Sequence, residues 1–323
     1  MDIRKVSFND SKIKWEKLTT LHEYSPFQCW QYLNVFSTHF SAQESTVILE
    51  IFEGDKTVAL LPFEKQENTL ILLGMKPVLG TETITDYGDI ILSQEYKDRI
   101  NEIWDLARIN LKKLAISKII FENIREESDL YKFFKNQSGA VILNQEVSPF
   151  ILLPSSWDLY IESLPRVEKK ELKRKLKRLD TVPHYFKINP ADDLVIFTDF
   201  IRLHRISNQD KKQFMSVEME QFFWDLANLK TDSWKTYIAR LQINGELAAA
   251  IYFFNNKKSC LLYNSGFDPA YKYYSNGLML HALLIKHNIE NGIHIHDFLR
   301  GNERYKYDLG AQDHNLYKIT IAL

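Results

Sequence analysis

The chain has 323 residues, 45% hydrophobic and 26% charged, with 41 Lys and Arg against 42 Asp and Glu and a net charge of -1. This is the composition of an ordinary globular protein long enough for two domains, and the balanced charge excludes a global field drawing the molecule to nucleic acid or a membrane surface. Two cysteines, Cys29 and Cys260, exclude a disulfide framework; no run approaches the ~18 apolar residues of a membrane span and the N-terminus lacks the apolar core of a signal peptide, so a cytoplasmic location is expected.

Residues 27–40 carry Phe27, Trp30, Leu33, Val35, Phe36 and Phe40 at helical spacing, after Ser25-Pro26, where a cap and a first-turn proline belong. A meander follows: strands at 46–53, 57–64 and 69–74, with turns at Gly54-Asp55 and near Glu67-Asn68. The segment from Lys76 to Leu92 is rich in Gly and Thr and holds Thr85-Asp86-Tyr87-Gly88-Asp89. A helix at 96–113 and a strand at 117–122 complete this half.

The second half repeats the order. Helical patterns cover 156–180, 192–208 and 216–229. A second meander runs through 236–243, 246–254 and 259–265. Its first turn is Asn244-Gly245, the preferred pair for a tight type I′ hairpin because both residues tolerate positive φ. A helix starts at Ser275, a strand occupies 293–299, and 315–322 reads as a last strand. Helix, three-strand meander, helix and strand thus occur twice. The expected fold class is α+β, with two tandem domains of mixed sheet, 1–150 and 151–323.

The stretch Ser275–Gly310 concentrates the chemistry. Past an apolar strand come Asp297, Arg300, Glu303, Tyr305 and Lys306, a density of polar groups that core packing does not account for. Asp297 follows the alternation of Ile293 and Ile295. It is either the partner of a buried cation or a base raised by desolvation. His294 and His296 share a face that Asp297 does not, which argues against a metal site.

Three meandering strands, a Gly-bearing turn into a helix and a further strand resemble the GNAT acyltransferase fold, and two such units resemble tandem GNAT proteins. Ser275-Asn276-Gly277 with Asp297-Phe298-Leu299-Arg300-Gly301-Asn302-Glu303-Arg304-Tyr305-Lys306 is similar to the signature of the CelD-like acetyltransferase family, with Asn276 where that family has Pro. Leu203-His204-Arg205 is similar to its Leu-His helix. The family is associated with cellulose and exopolysaccharide biosynthesis. A more distant resemblance is to the Fem-type transferases, which use aminoacyl-tRNA on a peptidoglycan precursor.

The resemblance implies acyl transfer from acyl-CoA to an amine or hydroxyl of a sugar or polysaccharide precursor. The implied catalytic set is Asp86, His204, Asp297, Glu303, Tyr305 and Lys306. Asp86 or Asp297 would activate the acceptor, Lys306 would assist electrostatically, and a tyrosine would protonate the leaving thiolate. The donor would lie against Lys272, Ser275, Asn276, Gly277 and Arg300, with its phosphates at the helix N-terminus. The usual Gly-rich phosphate loop is absent. Residues 166–178, RVEKKELKRKLKR, hold eight Lys or Arg against two Glu. This is either a solvated helix face or a polyanion site for a cofactor phosphate or tRNA. A small-molecule or sugar acceptor is expected, with tRNA as the alternative partner and no DNA; the absent loop leaves a non-catalytic binding protein with a degenerate GNAT fold as a further alternative.

Overall fold

The structure, a computed structural model, describes residues 1–21, 24–78, 80 and 82–323. Leu79 and Thr81, inside the Gly- and Thr-rich segment, lie outside the described residues. The chain divides into two units: residues 1–146 with 314–323, and residues 147–313.

Unit 1 runs through β1 (Asp2–Val6), α1 (Phe8–Leu21), α2 (Trp30–Phe40), β2 (Thr46–Glu53), β3 (Lys56–Gln66), β4 (Thr69–Leu72), β5 (Ile91–Leu92), α3 (Ile100–Lys113), β6 (Lys118–Arg125) and α4 (Asp129–Phe134). The first part of β7 (Ala140–Leu152) also belongs to it. β2, β3 and β4 form an antiparallel meander, and β4 pairs in parallel with β6 through the crossover of α3. The core is apolar and aromatic: Val58, Leu61 and Phe63 from β3, Ile103, Ala107 and Leu111 from α3, Ile119 and Phe121 from β6.

Unit 2 takes the rest of β7, then α5 (Trp157–Ser163), α6 (Arg166–Leu179), β8 (His184–Pro190), α7 (Leu194–Ser207), α8 (Gln209–Phe214) and α9 (Val217–Ala227). It continues with β9 (Lys235–Ile243), β10 (Glu246–Asn255), β11 (Ser259–Phe267), α10 (Asn276–Glu290), β12 (Ile295–Asp297) and α11 (Arg304–Asp308). The predicted helix at 156–180 is two helices, because Pro165 lacks the N–H that a continuous helix needs there. The β9–β10 turn has Asn244 at φ 53° and Gly245 at φ 86°, the positive pair of a type I′ turn. β11 pairs antiparallel with β10 and in parallel with β12. α10 buries Met279, Leu280, Leu284 and Ile285 on this sheet. Each unit therefore contains a meander, a crossover helix and a parallel strand.

The final strand, β13 (Gln312–Ala322), returns to unit 1 and pairs antiparallel with β6, Ile319 opposite Phe121. The sequence reading keeps this tail in the second half. The burial of Ile319 and Ile321 in the core of unit 1 draws it back.

Candidate active site

The site is built where β11 and β12 part. Their parallel pairing covers Ser259–Leu261 against Ile295–Asp297 and stops, whereas β11 continues to Phe267. Beyond Leu261 a register shift places Leu262 opposite Phe253 and Asn264 opposite Tyr252, so Tyr263 is a bulge. The chain then makes a 3-10 turn, Pro269–Tyr274, and enters α10.

α7 crosses this free part of β11 at Gly266. A β-carbon at Gly266 would lie 2.3 Å from the His204 backbone nitrogen, so only glycine allows the helix this close. The contact delivers His204 to the strand. Its Nε2 stands 2.9 Å from Asn264 Oδ1, an acceptor, and so carries the hydrogen. His204 Nδ1 is buried with no partner. Burial pushes the ring pKa down to about 3, helped by the nearby Lys211 ammonium, so the imidazole is neutral. Asn264 Oδ1 also accepts from the Ser265 N–H at 2.9 Å. The Ser265 carbonyl accepts from Lys211 Nζ, and the Phe267 N–H donates to Ser207 Oγ at 2.8 Å. Side chains of α7 and α8 thus occupy the backbone groups of β11 past the point where β12 leaves.

Asp297, at the end of β12, accepts the Leu299 N–H at 2.8 Å and the Ser148 hydroxyl at 3.3 Å. Its carboxylate turns the chain, and Leu299 takes φ 57° and Gly301 φ 104°. That turn aims three carbonyls inward. Lys306 Nζ donates to Leu299 O at 3.1 Å, Arg300 O at 2.7 Å and Gly301 O at 2.9 Å, and pairs with Glu303 at 2.9 Å. Lys306 is 1% exposed while the Glu303 side chain is 57% exposed. The ammonium is committed to the loop, and the carboxylate faces solvent.

Tyr305 packs on His281 with ring centroids 4.8 Å apart and meets Phe298 edge-on. Burial raises the pKa of its hydroxyl well above the usual phenol range, which keeps it protonated. His296 Nδ1 stands 2.9 Å from Asn288 Nδ2, and its Nε2 is buried without a partner, as is Nδ1 of His281. Burial lowers His296 to about 3 and holds His281 well below the ordinary histidine range.

Ser275 precedes α10 in the left-handed region, φ 53°, and makes no side-chain cap, so the first-turn N–H groups are left for solvent or a ligand. Asn276 is buried, its amide donating to Ala248 O at 2.6 Å and Asp268 O at 2.9 Å. Gly277 lies against the Phe267 ring, with ordinary room for a β-carbon at 3.6 Å. Lys272 is exposed on the 3-10 turn, and Arg178 of α6 donates to Tyr273 O at 2.8 Å. Arg300 is half-buried on the Lys306 loop.

Asp86 belongs to unit 1. It is buried beside Thr85, whose carbonyl accepts from Asn123 at 2.9 Å and whose hydroxyl lies 3.1 Å from Tyr32. Among the described residues no group of three or more His, Cys, Asp or Glu is placed to hold a metal. No described helix is long and apolar enough to cross a membrane.

Sequence reasoning missed Ser207, Lys211, Asn264 and Ser265. Gly266 was the available signal: a glycine inside a strand marks a close backbone approach. The predicted strand ended one residue before it.

Residues 166–307 match the family model described as an acetyltransferase (GNAT) domain. No curated protein matches the chain. The crystal structure of FemX is 9% identical, with a TM-score of 0.66 over 100% of this chain and 98% of that one. The C-terminal DUF2156 domain of a putative lysylphosphatidylglycerol synthetase from Agrobacterium fabrum is 10% identical, with a TM-score of 0.57 over 97% and 92%. A tandem GNAT protein from the clavulanic acid biosynthesis pathway is 12% identical, with a TM-score of 0.51 over 99% and 98%. At such identities the likeness is one of fold alone. The split strands, the uncapped helix and the Lys306 loop all lie in the stretch that matches the GNAT acetyltransferase model, within a chain that has the α+β fold of FemX and tandem GNAT structures.

Proposed function

We propose that unit 2 transfers an acyl group, acetyl in the simplest case, from acyl-CoA to an amine or hydroxyl. The observation that carries this is the parting of β11 from β12 beside an uncapped helix N-terminus, within the stretch matching the GNAT domain. The thioester enters the opening past Leu261. The donor pyrophosphate meets the free amides and positive dipole end of α10, with Lys272 close by and Arg300 on the far loop. The narrower likeness, to the CelD-like family and a sugar or polysaccharide-precursor acceptor, rests on the segment from Asp297 to Lys306.

The reaction is direct transfer in a ternary complex. Glu303, the exposed carboxylate of the loop, accepts the acceptor's proton as its nitrogen or oxygen attacks the thioester carbonyl. The carbon–sulfur bond breaks, and the Tyr305 hydroxyl supplies the proton to the departing thiolate. Asp297 and Lys306 act through the loop: one turns it, the other gathers its carbonyls. His204, neutral, orients Asn264. Asp86, in unit 1, takes none of these steps.

Calorimetric titration with acetyl-CoA tests the donor: saturable heat below millimolar concentration is expected, and silence at millimolar concentration overturns it. Glu303→Gln should then lower kcat by about a hundredfold with acetyl-CoA binding intact, the usual scale of general-base loss.

A second reading, a Fem-like aminoacyl transfer from charged tRNA, is favoured by α6. Lys169 and Lys173 pair with Glu162, and Arg174 pairs with Glu171. Arg166, Lys170, Lys175 and Lys177 make no ion pair among the described residues. Salt-sensitive tRNA binding in a filter assay, lost on neutralising Lys170, Lys175 and Lys177, would replace the acyl-CoA reading.

A further inference from the structure

Lys211 lies on the short helix α8, between α7 and α9 in the chain, and reaches the free part of β11. Its ammonium donates to the Ser265 carbonyl and, at 3.3 Å, to the Ser265 hydroxyl. Two of its three N–H groups are thereby used, and the third has no acceptor among the described residues. No carboxylate lies within ion-pair distance of Lys211 among them either. Glu303 is near enough to favour the charged form but is itself paired to Lys306. Lys211 is half-buried as a residue, yet desolvation of the ammonium outweighs Glu303 and lowers its pKa to about 8. Beside it stands the orphaned, fully buried Nδ1 of His204.

An ammonium taken out of water without a counter-ion costs more than one carbonyl hydrogen bond returns. A neutral donor would cap the Ser265 carbonyl at lower cost. The charge at Lys211 therefore calls for an anion that the chain itself does not supply. The Ser265 hydroxyl accepts from Lys211, and its own hydrogen is uncommitted among the described residues. An ammonium hydrogen and a hydroxyl hydrogen side by side match the two oxygens of one carboxylate. A phosphate dianion would need a second cation, and Lys306, the other buried ammonium of the site, is spent on three carbonyls.

We propose that Lys211 and Ser265 hold a carboxylate of the acceptor, so that the substrate is an amine or hydroxyl compound bearing an acid group. This rests on the opening past Leu261 being the transfer site. The group binds on the α8 side of β11.

The probe is succinate, added to the full chain at pH 7 and constant ionic strength, with chloride and inorganic phosphate as parallel arms. Succinate should raise the Tm of the wild-type protein by about 2–4 °C near saturation. It should leave Lys211→Met unmoved. Without ligand, Lys211→Met should melt at the wild-type temperature or above, because it removes an uncompensated charge. Equal shifts in the two proteins, an equal response to chloride or phosphate, or a variant melting more than about 5 °C lower would each overturn the assignment; the last would make Lys211 a structural cap. Acetyl-CoA titration of the same samples separates the two claims. Donor binding without a succinate response removes only the Lys211 site, and a succinate response without donor binding removes only the acyl-CoA reading.

Discussion

Gly266 and His204 meet backbone to backbone. A β-carbon at position 266 would stand 2.3 Å from the His204 nitrogen and 2.6 Å from its α-carbon, and neither can swing aside as a side chain could. Gly266→Ala should therefore lift α7 from β11 and break the His204–Asn264 contact. The expected loss is about 2–3 kcal/mol, the upper part of the range for overpacking a closed contact. Urea denaturation measures it; a variant as stable as wild type would mean that the helix slides along the strand without strain.

Lys306 makes the opposite kind of contact, an ammonium enclosed by its own chain. Lys306→Met keeps the stem and deletes the charge, leaving the Leu299, Arg300 and Gly301 carbonyls without their donor. A loss of about 3 kcal/mol is expected, typical of breaking a buried charge network from one side. If the variant keeps its Tm and loses only turnover, Lys306 acts on substrate rather than on the loop.

Acid should destabilise unit 2 through its buried histidines. His204 and His296 titrate at about 3 in the folded chain and His281 well below the ordinary range, against about 6.5 unfolded. Below that pH the unfolded chain binds protons that the folded one refuses. The histidine contribution is therefore level above about pH 7 and falls as the pH drops from about 6.5 towards 3. Each ring adds a slope of up to about 1.4 kcal/mol per pH unit. His296→Leu should remove about a third of the combined histidine slope between pH 6 and 4 in urea titrations. An unchanged slope would show that this ring charges freely in the folded state.

The doubled meander was legible because a strand writes its period into adjacent residues. The runs at 46–53, 57–64, 236–243 and 246–254 appear as β2, β3, β9 and β10. The predicted strand at 293–299 shrank to Ile295–Asp297 for a reason no period carries: the Asp297 carboxylate captures the Leu299 N–H and turns the chain. The strands β7 and β8 and the helix α8 went unread, being short or half-exposed with weak alternation.

The cluster from Asp297 to Lys306 was visible as a local excess of polar residues, and the sequence by itself determined that polar groups would gather there. It did not determine what each group does. A lysine on a loop reads the same whether it meets a phosphate or three carbonyls, and only the φ values of Leu299 and Gly301 turn those carbonyls toward Lys306. His204 meets Asn264 sixty positions away, and Lys318 of the last strand meets Glu122 at a separation of 196. Periodicity encodes which face of an element is apolar. The partner, burial and protonation of a polar group depend on whatever distant chain packs against it, and that is decided by the tertiary structure alone.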